Sequence, residues 1–259
     1  MDLVSLTILS LIEGVTEFLP ISSTGHLILA SNLLALPNTD FLKTFQIVIQ
    51  LGAVLAVIHL YWKQIYQNPS LLKKLVFGMT PTIIVGTTLY PILKSVLLES
   101  SQIVSISLII GGILIIFIEH KLKKYERGIR KSTQELQNIT NRQAFITGLT
   151  QSIAIIPGVS RSGASIFGGM LFGMNRKTAT EFSFLLALPT IAAASGFDLI
   201  QTAPSFSQKE ILYLIAGIML SFIVALFAIK WLLKYITTHS FVVFGWYRII
   251  LGIIFLIIL

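Results

Sequence analysis

Six runs of this chain are apolar for long enough to cross a hydrocarbon core of roughly 30 Å, a distance that takes about 20 residues of helix. They fall near Phe41–Trp62, Leu75–Leu98, Gln102–Glu119, Ala179–Ile200, Ile211–Lys234 and Phe241–Leu259. Two more regions are apolar and helix-like but interrupted. Leu3–Leu19 runs into the break PISSTGH and resumes at Leu27–Leu36, and Ala144–Ile156 runs into PGVSRSG and resumes at Ala164–Met174. The resumed pieces are too short to span, so 3–36 and 143–175 are expected to be re-entrant hairpins. Irregular backbone at membrane depth is tolerated only where protein buries it or where it lines a cavity. The expected fold is an all-α polytopic membrane protein with six transmembrane helices and two re-entrant helical hairpins.

Composition agrees. Of 259 residues, 54% are hydrophobic and 12% charged, against about 25% charged in a soluble domain. The absence of cysteine excludes disulfides and thiolate metal sites. The opening MDLVSLTILS has no basic n-region and is read as a retained helix rather than a cleaved signal peptide. The formal charge of +8 is read as cytoplasmic loops. No basic, aromatic-interleaved segment is present, so no nucleic-acid partner is expected. With the loops Lys63–Lys74 and His120–Arg142 assigned to the cytoplasm, only Lys43, Lys94 and Lys209 fall outside, and Arg161 and Arg248 stay within the membrane region. Both termini then face outward. The basic run Lys121–Lys131 lies against anionic lipid, and Glu181 is expected to pair with Arg176 and Lys177 at the cytoplasmic rim.

The two halves resemble each other. PISSTGH at Pro20 recurs as PGVSRSGA at Pro157, GVTE at Gly14 echoes GLTQ at Gly148, and one offset separates both Thr24 from Arg161 and Phe45 from Phe182. A hairpin plus three spans is an odd number of crossings, so the repeats must be inverted. The chain therefore reads as one membrane domain with a first repeat over 1–119, a basic cytoplasmic linker over 120–142 and a second repeat over 143–259. Inverted repeats with broken helices place a site near the midplane between them.

The breaks carry the chemistry. Ionisable groups at membrane depth are costly and mark function. Glu13 and Glu17 stand four apart on the first helix and leave one face of it. They share a proton or a hard cation such as Mg²⁺ or Ca²⁺. Ser22, Ser23 and Thr24 exceed what one helix cap needs, and with Gly25 they open a helix whose free N–H groups favour an anion. His26 lies beside a candidate nucleophile and is a candidate general base. In the second break Arg161, between Ser160 and Ser162 and ahead of Gly163, offers a guanidinium fork that suits phosphate oxygens. Gly78, Thr80, Pro81 and Gly86 are read as packing and kink features.

EGVTEFLPISSTGHL and PGVSRSGAS, together with FQIVIQLGA at Phe45–Ala53, resemble the signature segments of the bacterial undecaprenyl-diphosphate phosphatases, the family associated with bacitracin resistance. The resemblance covers the whole chain; Ser165 stands where threonine is expected and keeps a hydroxyl. It implies a plasma-membrane hydrolase open to the outer face, assisted by a divalent cation and without an organic cofactor. Its substrate would be a polyprenyl diphosphate lipid, recycled for peptidoglycan synthesis. It also carries catalytic roles onto Glu13, Glu17, Ser23, His26 and Arg161, and substrate binding onto Ser22, Thr24, Gly25, Ser160, Ser162 and Gly163. Ser23 would attack the terminal phosphorus with help from His26, or Glu13 and Glu17 would activate water through a metal. A lipid transporter using the same site for binding is the rival reading. The residues leave open whether the protein forms a homo-oligomer.

Overall fold

The computed structural model describes residues 1–96, 101–126, 135–202 and 206–258. Among them the chain is helical throughout, with no β-strand. In order, the helices are α1 (Leu3–Thr16), α2 (Ser23–Leu33), α3 (Asp40–Val48), α4 (Gln50–Gln67), α5 (Pro69–Val96), α6 (Ser101–Glu126), α7 (Asn141–Gln151), α8 (Arg161–Leu171), α9 (Arg176–Thr202), α10 (Gln208–Tyr235) and α11 (Val242–Ile258). Helices α3 and α4 meet at Ile49 and form one apolar stretch of 28 residues.

Polar caps set where helices begin. Asp2 accepts from the Ser5 N–H at 2.8 Å, and Thr39 accepts from the Leu42 N–H. Thr140 with Gln143, and Ser207 with Glu210, form reciprocal capping boxes at the starts of α7 and α10. Pro69 opens α5, where its missing N–H costs nothing.

Four stretches are long and apolar enough to cross a membrane: Asp40–Gln67, Ser101–Leu122, Arg176–Ile200 and Gln208–Tyr235. Helix α11, where a fifth span is expected, has 17 residues, and α5, where the remaining one is expected, has 28. The tail of that expected span at 97–98, residue 259, and the middle of the basic linker at 127–134 lie outside the described residues. Large apolar side chains such as Trp62, Phe227, Trp231 and Ile257 point outward and stay exposed. A water-facing surface does not carry so many large exposed apolar side chains, whereas a lipid-facing one does.

The core runs between the first helical break and α4, α8, α9, α10 and α11, around Phe18, Phe182, Phe184 and Phe241. Phe18 meets Phe184 edge to face at 4.9 Å. Helices approach closely where side chains are small. A Cβ on Gly14 of α1 would lie 2.7 Å from the Ser221 carbonyl of α10, and one on Gly148 of α7 would overlap the Gly78 carbonyl of α5. Helices α6 and α11 meet at Gly112 and Gly245 in the same manner. Gly78 is thus a packing position, as the sequence suggested; Gly86 is not, because a Cβ there would meet nothing within 4 Å.

Arg176 pairs elsewhere than expected. Its guanidinium grips the fully buried Glu119 of α6 through Nε (3.2 Å) and Nη2 (2.8 Å), and Glu119 also accepts the Phe241 N–H at 3.1 Å. The buried carboxylate needs all of these donors. Glu181 lies near Tyr61 and Lys177.

Candidate active site

Helix α1 stops because Pro20 cannot continue it, and Glu17 becomes its C-terminal cap. The chain then turns tightly, with the Ile21 N–H bonded to the Leu19 carbonyl, and reaches Ser22 at φ 72°. A positive φ at a non-glycine residue costs about 1–3 kcal/mol and is characteristic of functional sites. Ser22 caps α2 by accepting the Gly25 N–H. The second break turns through Gly158, at φ 86°, and Ser160 caps α8 by accepting the Gly163 N–H at 3.1 Å. The two caps are therefore equivalent. Pairing these two caps gives an offset one residue away from the Thr24–Arg161 match read from sequence.

The breaks meet. Arg161, the first residue of α8, donates from Nη2 to Glu17 Oε1 at 2.8 Å and from Nη1 to the Ser183 carbonyl at 3.2 Å. It also lies over the Phe18 ring, 5.5 Å from its centroid. Ser23 donates to the other oxygen of Glu17 at 2.5 Å. Arg161, Glu17 and Ser23 thus form one chain of charge-assisted bonds. Behind it, Glu13 is fully buried, and neither of its oxygens has a partner among the described residues.

Ser160 and Ser162 serve the scaffold. Ser162 donates to the Leu19 carbonyl at 2.7 Å, so its only proton is committed, and Ser160 must be the donor across the 2.9 Å between their hydroxyls. The two breaks are sewn together by this pair. Ser165 reaches the Arg161 carbonyl and the Ser183 hydroxyl. Gly25 packs beside Val104 and Leu108 of α6.

His26 faces elsewhere. Its Nδ1 lies 2.7 Å from the Ser22 carbonyl, which can only accept, so that nitrogen carries the proton. Nε2 then accepts from the Tyr247 hydroxyl at 2.7 Å, and the two rings stack. Ser23, beside which the sequence offered His26 as a candidate general base, is hydrogen-bonded to Glu17.

A cavity of about 180 Å³ opens where the breaks meet. Glu17, Ser22, Ser23, Thr24, Ser160 and Arg161 line it, as do Gln50 at the start of α4 and Thr190 on α9. The first turns of both α2 and α8 border this space. A larger cavity of about 310 Å³, beside Met1, Phe41 and Phe206, holds none of the expected site residues. Among the described residues, no three His, Cys, Asp or Glu side chains gather into a metal-ligand set. Any hard cation here would therefore rest on Glu13 and Glu17 with hydroxyl or phosphate oxygens, and the two orphaned Glu13 oxygens fit that role.

Sequence reasoning placed Arg248 in the membrane region but gave it no role. This buried residue of α11 donates to four carbonyls: Pro20 at 3.3 Å, Gly158 at 3.0 Å, Ser107 at 3.2 Å and Leu108 at 3.4 Å. It holds both breaks against α6, and Gly111 leaves the room its guanidinium fills. The available signal was an arginine inside an apolar run with no acidic neighbour. Gln50 and Thr190 carry no such signal.

Residues 6–254 match the family model described as bacitracin resistance protein BacA. The chain is 46% identical to an undecaprenyl-diphosphatase of Aquifex aeolicus (96% of this chain, 95% of the relative). It is 48% identical to one of a Sulfurihydrogenibium species (96% of each) and 47% identical to one of Persephonella marina (99% of each).

Proposed function

Because the chain belongs to the bacitracin resistance protein BacA family, we propose that it is a membrane hydrolase that removes the terminal phosphate of undecaprenyl diphosphate. Its relatives carry the name of that activity over nearly their whole length. The observation that carries the reading is the Arg161–Glu17–Ser23 chain, set where two helices begin. Each helix start presents unpaired N–H groups and about half a positive charge, which with Arg161 suits a diphosphate. A pure lipid transporter is not favoured, since a nucleophile hydrogen-bonded to a carboxylate serves bond cleavage and adds nothing to transport.

In this reading Ser23 Oγ attacks the terminal phosphorus, and Glu17 takes its proton. The bond from that phosphorus to the bridging oxygen breaks, and the polyprenyl monophosphate leaves. Water then cleaves the phosphoserine and releases inorganic phosphate. Arg161 and the N–H groups of both helix starts balance charge on the transferring group, which is most of what phosphoryl transfer asks of a protein. Ser22, Thr24, Gly25, Ser160, Ser162 and Gly163 shape the two cradles. His26 holds the Ser22 carbonyl and so supports the strained turn. A divalent cation, Mg²⁺ or Ca²⁺, held by Glu13 and Glu17 would supply further positive charge beside the phosphates.

The architecture belongs to the same proposal: two inverted repeats, 1–119 and 143–259, each with a re-entrant hairpin and three spans. The packing supports it, because α1 rests on α10 as α7 rests on α5, and α6 pairs with α11. The charge pattern supports outward termini and a site open to the outer face of a bacterial plasma membrane.

The test is phosphate release from undecaprenyl diphosphate by purified protein in detergent, with and without chelator, beside Arg161→Ala. Release that needs the cation and is lost in the variant is expected. Folded wild-type protein that releases no phosphate with Mg²⁺ supplied would overturn the hydrolase and return the transporter to first place.

A further inference from the structure

The cavity has two unlike walls. Glu17, Ser23, Thr24 and Arg161 make one polar, whereas Ala154, Ile191 and Ala194 make the other apolar. At about 180 Å³ it falls below the roughly 300 Å³ that encloses a drug-sized ligand. It takes a headgroup, and a polyprenyl chain must lie outside it.

From the apolar wall α9 runs on alongside α5. The two helices meet near Gly78, where a Cβ would lie 3.2 Å from Leu186 Cδ1. Two turns farther along the same stripe of α9, Ala193 is exposed, as are Ala192 and Ala194 beside it. On α5 the ridge that carries Gly78 continues through Thr82, which bonds the Gly148 carbonyl at 2.9 Å, to Gly86, which faces open space. Pro189 sits between the closed and open parts of α9, where its ring crowds the preceding turn and its missing N–H removes a bond. The floor is the 3-10 turn Ser152–Ile155, with Ala154 in the cavity and Ile153 exposed beside it. Small and apolar residues of α9 and of this turn thus lie between the phosphate cradle and the exposed stretch Ala192–Ala194.

We propose that the prenyl tail of the substrate leaves the cavity sideways through this wedge between α5 and α9, so that only the diphosphate enters the protein. The proposal rests on the lipid-diphosphate reading above and names the path which that reading requires. Bulk at Gly86 or Ala193 narrows the wedge without touching the cavity lining.

The test compares undecaprenyl diphosphate with the short farnesyl diphosphate for Gly86→Phe, Ala193→Phe and a control, Met219→Phe, on the exposed face of α10. Both wedge variants should lose about tenfold or more in kcat/KM on the long substrate, the order at which hydrophobic contacts discriminate. Their kcat/KM on the short substrate should stay near wild type, and the control should match wild type on both. Undiminished turnover of the long substrate overturns the wedge, and so does equal loss on both substrates from folded protein. Wild type inert on both would sink the hydrolase reading, and the wedge is then judged separately. A polyprenyl diphosphate with a photoreactive tail group should cross-link within 83–87 and 192–196, and cross-links confined to other helices would overturn it.

Discussion

Glu17 holds two partners whose demands differ: a guanidinium that needs its charge and a hydroxyl that needs its basicity. Glu17→Gln keeps the shape and removes both properties. Steady-state phosphate release should fall by about 10²–10⁴ in kcat, the range for a general base, with the protein still folded. His26→Gln should cost much less, because His26 touches the Ser22 carbonyl and Tyr247 rather than Ser23. A loss from His26→Gln as large as that from Glu17→Gln would restore the imidazole as the base. The motif residues were legible at this scale because clustered hydroxyls and charges in an apolar chain have no bland use. Their partnerships were not. Ser23 reaches Glu17 because the chain breaks between them, whereas nearness in sequence pointed to the imidazole three residues on.

At the scale of elements, the breaks at Pro20 and Gly158 depend on a helix distant from both in sequence. Arg248→Met would take their donor from the Pro20 and Gly158 carbonyls, at roughly 1–3 kcal/mol for each one left buried and unpaired, while the Ser107 and Leu108 carbonyls keep their bonds within α6. Thermal unfolding in detergent should show a large loss of stability, with activity lost in step. Arg248→Lys, which offers one nitrogen instead of a fork, should recover only part of it. Helix contacts set by glycine make a second prediction: Gly14→Leu forces α1 away from Ser221 and Val224 of α10. It should abolish turnover by displacing Glu13 and Glu17, although it adds only apolar volume. Helix existence and rough extent were readable from apolar run length, since lipid permits little else. The destination of Arg248 was not, because its acceptors are backbone carbonyls and no sequence pattern marks which carbonyls a turn leaves unpaired. The Arg176–Glu119 pair escaped notice for a related reason. Arg176 had the nearer carboxylate of Glu181 on its own helix, and only packing brings α6 against it.

For the whole molecule, the unequal distribution of lysine and arginine makes a prediction that the absence of native cysteine renders simple to check. Asn38 and Asn138 are both exposed, one between α2 and α3 and the other ahead of α7. In intact cells a membrane-impermeant maleimide should label Asn38→Cys and should reach Asn138→Cys only after lysis. Labelling of both from the same side would remove the inverted arrangement.

The meeting of the two helix starts reaches beyond catalysis. Two positive poles and a guanidinium border one small space, with Glu17 the one ionic partner bonded to that guanidinium among the described residues. Like poles held that close repel, so an anion bound between them should raise the thermal stability of the protein in detergent, and added inorganic phosphate reads that effect.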